Sequence, residues 1–185
     1  MIFSNILLVF MISLQFGSYE MMINNTLSMF SGQVQVQSEG YLDGQKMRQA
    51  VDDIRVLASA IREQFPLASV TARANAFVLV SSNDRSFGTQ IVGVEPAHEP
   101  EVSTLPGLLT EGRYLDDPDA AEIVIGNVMA KNLKVKVGDE LTFLGSGKDG
   151  TFAAGVVKVV GIFDSGSQDL NRSLAELPLG YFQQA

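Results

Sequence analysis

The sequence has no cysteine, so disulfides, thiolate nucleophiles and cysteine-based zinc sites are excluded. It has a single histidine, His98, in Glu95-Pro96-Ala97-His98-Glu99-Pro100, where two prolines and two glutamates mark a polar, solvated loop. One imidazole between glutamates on a loop is a poor metal-ligand set. A Ser-His-Asp arrangement would have to use this same imidazole, and no nucleophile-elbow motif accompanies it. Basic residues are scarce as well. Thirteen Lys and Arg face 21 Asp and Glu, a net charge of −8. Nucleic acid is therefore excluded as a partner, because phosphate binding needs a concentrated basic surface. Polybasic attachment to anionic lipid is unsupported for the same reason, and membrane contact has to be hydrophobic.

What is present is enough for a folded unit. With 46% hydrophobic and 18% charged residues in 185, the chain can bury a core as one domain, or as one domain carrying an inserted subdomain. Residues 1–19 contain no charged side chain and are dominated by Ile2, Phe3, Ile6 to Ile12, Leu14 and Phe16. As a helix at about 1.5 Å per residue they reach roughly 28 Å, close to the hydrocarbon thickness of a bilayer. A span, a signal peptide and a buried helix all satisfy that length. A signal peptide normally has a basic n-region and a small-residue cleavage site, whereas the first basic residue here is Lys46 and Leu14-Gln15-Phe16-Gly17 is not an Ala-x-Ala site. The pattern suits a chain that begins in, or close to the start of, the first transmembrane helix of a longer protein. Tyr19 to Phe30 can continue that helix, with Met22, Ile23, Thr26, Leu27 and Phe30 along one side.

Further along, Gln33-Val34-Gln35-Val36-Gln37 alternates as a half-buried strand does. Met47, Val51, Ile54, Ala58, Ile61 and Phe65 recur at steps of three and four, an amphipathic helix that Pro66 ends. Val70 to Val80 places Val or Ala at every even position and Arg73 and Asn75 on the other face. Small residues at 72, 74 and 76 would let that helix approach closely. Residues 81–86 have turn composition and Thr89 to Val94 reads as the returning strand. Glu95 to Thr104 is a Pro-rich acidic joint. Then come a strand at Glu122–Gly126, a short helix at Val128–Leu133, and strands at Asp139–Leu144 and Gly155–Phe163. Gly145 to Gly150 formally matches G-x-G-x-x-G, but the residues that follow are β-rich, so no helix N-terminus is there to hold a pyrophosphate, and the segment reads as a hairpin tip. Asp164 to Arg172 reads as a mobile polar loop. Leu174 to Leu179 reads as an edge strand because of Pro178, and Gly180 to Ala185 as a helix cut off in its first turns. On this reading the chain is incomplete at both ends.

Six segments in order resemble the extracytoplasmic domain of ABC-transporter permeases of the MacB and FtsX type, which include the lipoprotein-releasing Lol permeases. They are Ile91-Val92-Gly93-Val94, Leu108 to Leu115, Glu122 to Gly126, Met129 to Leu133, Val137 to Leu141 and Val159 to Phe163. The apolar opening followed by Gln33 to Val36 also fits the exit of that family's first transmembrane helix. The resemblance implies an α+β fold, the MacB-like periplasmic core domain, in three parts. Residues 1–31 would be the transmembrane helix and its extension, 32–104 plus 173–185 a porter-like α/β subdomain, and 105–172 an inserted, mostly β subdomain. It implies a bacterial inner-membrane setting with the chain beyond about residue 30 in the periplasm. It also implies no enzyme activity, no cofactor and no catalytic, cofactor-binding or metal residue here, since ATP is hydrolysed in a separate cytoplasmic ABC ATPase. The implied partners are that ATPase, a second permease copy or paralogue in a dimer, a periplasmic acceptor or adaptor protein, and the membrane through residues 1–19. The implied role is transmission of ATP-driven motion to an amphiphilic cargo such as a lipoprotein or lipid.

Two other readings stay open at this point. One is a secreted or membrane-anchored binding domain, with residues 1–19 as its signal or anchor. The other is an extracytoplasmic enzyme using Asp116, Asp117 and Asp119, although Asp116-Asp117-Pro118-Asp119 has the composition of a solvated turn. Two of those carboxyls buried face to face in a cleft would favour it.

Overall fold

The computed structural model describes residues 2–26, 32–41, 50–83, 85–147 and 150–185. Helix α1 runs Ile2–Thr26. Its expected continuation to Phe30 lies outside the described residues. Every side chain from Ile2 to Met22 is exposed, which distinguishes this helix from the buried core helix of a soluble protein. At about 1.5 Å per residue the stretch is long enough to cross a membrane.

Residues 33–37 do not form the expected strand. The backbone is irregular, no ladder forms, and Val34 and Val36 are 85% and 61% exposed. Alternation describes a face, and a face becomes a strand only where a neighbour supplies hydrogen bonds. Helix α2, Ile54–Gln64, is the second half of the amphipathic helix expected over 47–65, and Met47 lies outside the described residues. Asp53 at its start adopts a left-handed conformation, which marks its first turn. Phe65, whose place before Pro66 disfavours helical backbone, leaves the helix and is 56% exposed rather than on the apolar stripe. Ala58 of α2 packs with Ala72, Val70, Ala74 and Leu179, so the small residues at 72 and 74 do admit the helix closely.

The strands are β1 (Arg73–Ser81), β2 (Ser86–Val94), β3 (Leu109–Gly112), β4 (Glu122–Gly126), β5 (Glu140–Ser146), β6 (Phe152–Phe163) and β7 (Leu174–Pro178). The short helices between and after them are α3 (Glu99–Val102), α4 (Asn127–Leu133), α5 (Gln168–Ser173) and α6 (Leu179–Gln184), with a 3-10 turn at Leu105–Leu108. β1 and β2 form the expected antiparallel hairpin. β5 and β6 form a second one, in which Gly147 of the G-x-G-x-x-G segment donates to the Thr151 carbonyl. The ladder runs β3-β6-β4-β7-β2-β1-β5 and then returns from β5 to β6. Six strands therefore close on themselves, and β3 hangs from the far end of the long β6. Pairing is parallel for β2 with β7 and for β4 with β6, and antiparallel elsewhere. This makes the sheet mixed.

Strand β7 corrects the edge-strand expectation. It lies between β2 and β4, and all five of its residues are buried. Pro178 is tolerated because it is the last residue of the strand and leads into α6, where a missing N–H costs little. The inward side chains Val78, Val80, Ile91, Ile123, Ile125, Leu141, Phe143, Val157, Val159 and Leu177 form the main core, covered at one side by Met129 and Leu133 of α4. On the opposite face, Val92, Val94, Val124, Val160 and Leu174 pack beneath Leu105, Leu115 and Tyr114.

The loop expected at 164–172 is ordered into α5 by a single carboxylate. Asp164 accepts from the Gly166 N–H at 3.0 Å, from Asn171 Nδ2 at 2.7 Å and from Asn127 Nδ2 at 2.8 Å. Those bonds, the Gly166 amide first, hold the Asp164 carboxyl below its ordinary value. The buried Asn171 in turn accepts from the Ser165 N–H and hydroxyl.

Candidate functional site

The acidic joint at Glu95–Thr104 was expected to be a polar loop around His98. It is instead a densely hydrogen-bonded polar region. The chain turns after β2 so that Glu95 and Glu99 point back toward β1 and α2. Glu95 accepts a hydrogen bond from the Ala72 N–H at 3.0 Å and an ion pair from Arg62, whose Nε donates to the Val70 carbonyl at 2.9 Å. One guanidinium thus joins α2, the approach to β1 and the end of β2. His98 is half-buried at the start of α3.

Glu99 has 0% exposure. Arg73 grips both its oxygens, Nε reaching Oε2 at 3.1 Å, and the Thr71 hydroxyl donates to Oε2 at 3.1 Å. A bidentate guanidinium with a third donor is the arrangement that can hold a carboxylate charged away from water. Next to it stands Glu176 of β7, also 0% exposed, flanked in the ladder by Val92 and Val124. Its Oε2 accepts from the Tyr114 hydroxyl at 2.7 Å, while its Oε1 is buried without a partner. Burial, and then the negative charge of Glu99, push the Glu176 carboxyl up to about 8, against the opposing effects of the Tyr114 bond and Arg73. Burial and Glu176 push the Tyr114 phenol upward from its ordinary value. At neutral pH this favours the protonated form of Glu176.

Chemically the cluster ties its own elements together, through Arg62, Arg73 and Tyr114. Glu99 and Glu176 are closed to solvent, and the phenol is held neutral. Among the described residues no group of three or more His, Asp or Glu side chains is placed to hold a metal ion. Asp116, Asp117 and Asp119 are exposed; Asp117 accepts from the Asp119 N–H at 3.0 Å in a local turn, so they do not face one another in a cleft. The sequence reading passed over this cluster, although one signal was available. Glu176 is the only charged residue in the run Leu174-Ala175-Glu176-Leu177, and continuous apolar runs are typical of strands buried on both faces.

Comparison with known proteins decides the family. The model of the MacB-like periplasmic core domain matches residues 1–185, the whole chain, apolar helix included. The chain belongs to that family. Among solved structures, the extracellular domain of the noncanonic ABC-type transporter YknZ from Gram-positive bacteria is similar at a TM-score of 0.53 and 17% identity, over 69% of this chain and 63% of that one. A domain of a putative permease from Porphyromonas gingivalis gives a TM-score of 0.44 and 18% identity, over 68% of this chain and 52% of that one. The chain thus spans less than two thirds of either solved domain. No protein of curated function matches the sequence. Membership gives the folded part an extracytoplasmic setting and the expected α+β class, and Ile2–Met22 is the segment able to anchor it in a membrane.

Proposed function

We propose that this chain is the extracytoplasmic module of an ABC transporter permease, carried on a transmembrane helix, and that it transmits ATP-driven motion to export or release an amphiphilic cargo such as a lipoprotein or lipid. The observation that carries the reading is the match of the family model across both the exposed apolar helix and the folded domain. In this reading the module works beside a cytoplasmic ABC ATPase and a second permease copy or paralogue in a bacterial inner membrane, and engages an acceptor or adaptor in the periplasm. We also propose the division into a porter-like part, 32–104 plus 173–185, and an inserted part, 105–172. The parallel pairing of β2 with β7 supports it, because the two strands are neighbours in space although the whole of 95–173 lies between them in the chain.

The absence of cysteine makes a direct test simple. A single Phe152→Cys, at a position 88% exposed, should react with a membrane-impermeant maleimide in intact spheroplasts without lysis. Depletion of the protein should leave lipid-anchored proteins behind in the inner membrane. Labelling only after lysis would overturn the topology, and an unchanged distribution of lipoproteins would overturn that choice of cargo.

A further inference from the structure

In a chain with a net charge of −8 three arginines of the folded part meet carboxylates: Arg62 with Glu95, Arg73 with Glu99 and Arg113 with Glu122. Arg85 and Arg172 depart from that pattern. They come from the β1–β2 turn and the end of α5, and with Ser86, Phe87, Asn132 and Leu133 they line one cavity of about 560 Å³. No carboxylate is among those lining residues. The Arg85 guanidinium is positioned by one bond, Nη1 to the Asn132 carbonyl at 2.9 Å, which leaves its other donors unused. Arg172 is exposed and, among the described residues, makes no hydrogen bond or ion pair. Beneath them the cavity has an apolar side, where Leu133 is buried in the core and Phe87 packs against it.

Two guanidiniums of separate origin facing one space, with a carbonyl fixing one of them and no carboxylate among the described residues that line it, form a receptor for an oxyanion. Guanidinium forks match phosphate oxygens two at a time, and a second positive charge favours a dianion over a monoanion. The apolar side gives the uncharged remainder of the ligand a surface to rest on. We propose that this cavity is a phosphate-binding site, filled by free phosphate or by the phosphate of a lipid headgroup.

The test uses the full chain in an uncharged detergent at low salt, titrated calorimetrically with inorganic phosphate and, separately, with dihexanoyl phosphatidic acid. Dihexanoylglycerol serves as the uncharged counterpart. Saturable phosphate binding is expected, weakened about tenfold or more in Arg172→Gln and in Arg85→Gln, as befits the loss of one charge-assisted contact. Arg55→Gln, exposed on α2 and outside the cavity, should bind like the unaltered chain. Tighter binding of phosphatidic acid than of inorganic phosphate assigns the lipid headgroup, and equal affinity assigns free phosphate. Arg172 has no internal bond to lose, so its variant tests the site even if Arg85→Gln loosens the turn. Absence of saturable binding by both phosphates overturns the proposal, as does an equal loss in Arg55→Gln.

Discussion

Replacing Glu176 by Gln tests whether the buried carboxyl is held protonated. Glutamine keeps the shape and the acceptor for the Tyr114 hydroxyl, and cannot ionise. The folded chain holds the Glu176 proton up to about pH 8, whereas an ordinary glutamate releases it near 4.5. Below about pH 4.5 both folded and unfolded forms carry the proton and this group exerts no penalty. Between about 4.5 and 8 the unfolded form loses it while the folded form keeps it, so stability falls as pH rises. Above about 8 both are ionised and the loss is complete. At about 1.4 kcal/mol for each unit between the two values, the full window corresponds to about 5 kcal/mol. That is comparable with the whole stability of a small domain. Urea unfolding followed by far-UV circular dichroism from pH 5 to 9 reads this directly. All other titrating groups are shared by the two chains, so the difference profile isolates position 176. Near pH 5 the variant should lie within about 1 kcal/mol of the unaltered chain, and by pH 8.5 it should be the more stable by several kcal/mol. Parallel profiles across that range would refute a protonated Glu176.

Three further outcomes follow from the same structure. Arg73→Met leaves Glu99 charged and buried without its fork, and should cost about 3–5 kcal/mol in urea unfolding, with Arg73→Met/Glu99→Met recovering much of the loss. Gly112→Ala sets a side chain at φ 78° with its Cβ 2.1 Å from the Val160 carbonyl oxygen, so Tm should fall by an amount equivalent to more than about 2 kcal/mol. Gly107→Ala, with open space around it, should leave Tm nearly unchanged. Leu8→Arg places a charge within the apolar helix at about 3 kcal/mol of insertion cost, and should shift the protein toward the carbonate-extractable fraction of membranes.

Local pattern was a good guide wherever a residue's neighbours in the chain decide its fate. The even-position Val and Ala residues of β1, the glycine-bounded run of β4, the short α4 and the long β6 all depend on alternation or on punctuation, and all appear within a few residues of their expected bounds. Failures arose where the deciding partner is distant. Whether 33–37 is a strand depends on a neighbour that its alternation cannot specify. Whether β7 lies at an edge depends on β4, some fifty residues earlier, and Pro178 misled because its position at the strand's end matters more than its presence. Glu99 looked solvated because its local sequence is polar, whereas its burial follows from Arg73, twenty-six residues earlier. The uncharged, mostly apolar character of residues 1–19 was legible at once, since length and charge decide it without any tertiary partner.

In the proposed role of transmitting motion, the position of these ion pairs bears on how force would be carried. A ring of strands closed by hydrogen bonds deforms little, so displacement entering from α2 must be taken up in the contacts that seat α2 on the ring. Those contacts are few. Ala58 packs on Ala72 and Leu179 through small side chains, and Arg62 fastens the helix to Val70 and Glu95. From there Glu95 leads within four residues to Glu99, which Arg73 of β1 holds by both its oxygens. A dry apolar contact at this place would slide with little directional preference. The directed bonds of Arg62 to Val70 and Glu95 resist displacement in a particular direction, because each bond broken leaves a part-buried polar group unsatisfied. Such an arrangement suits a joint that must hold its angle under load more than one that only needs to be stable, which gives a physical reason for charged residues where hydrophobic ones would pack as well.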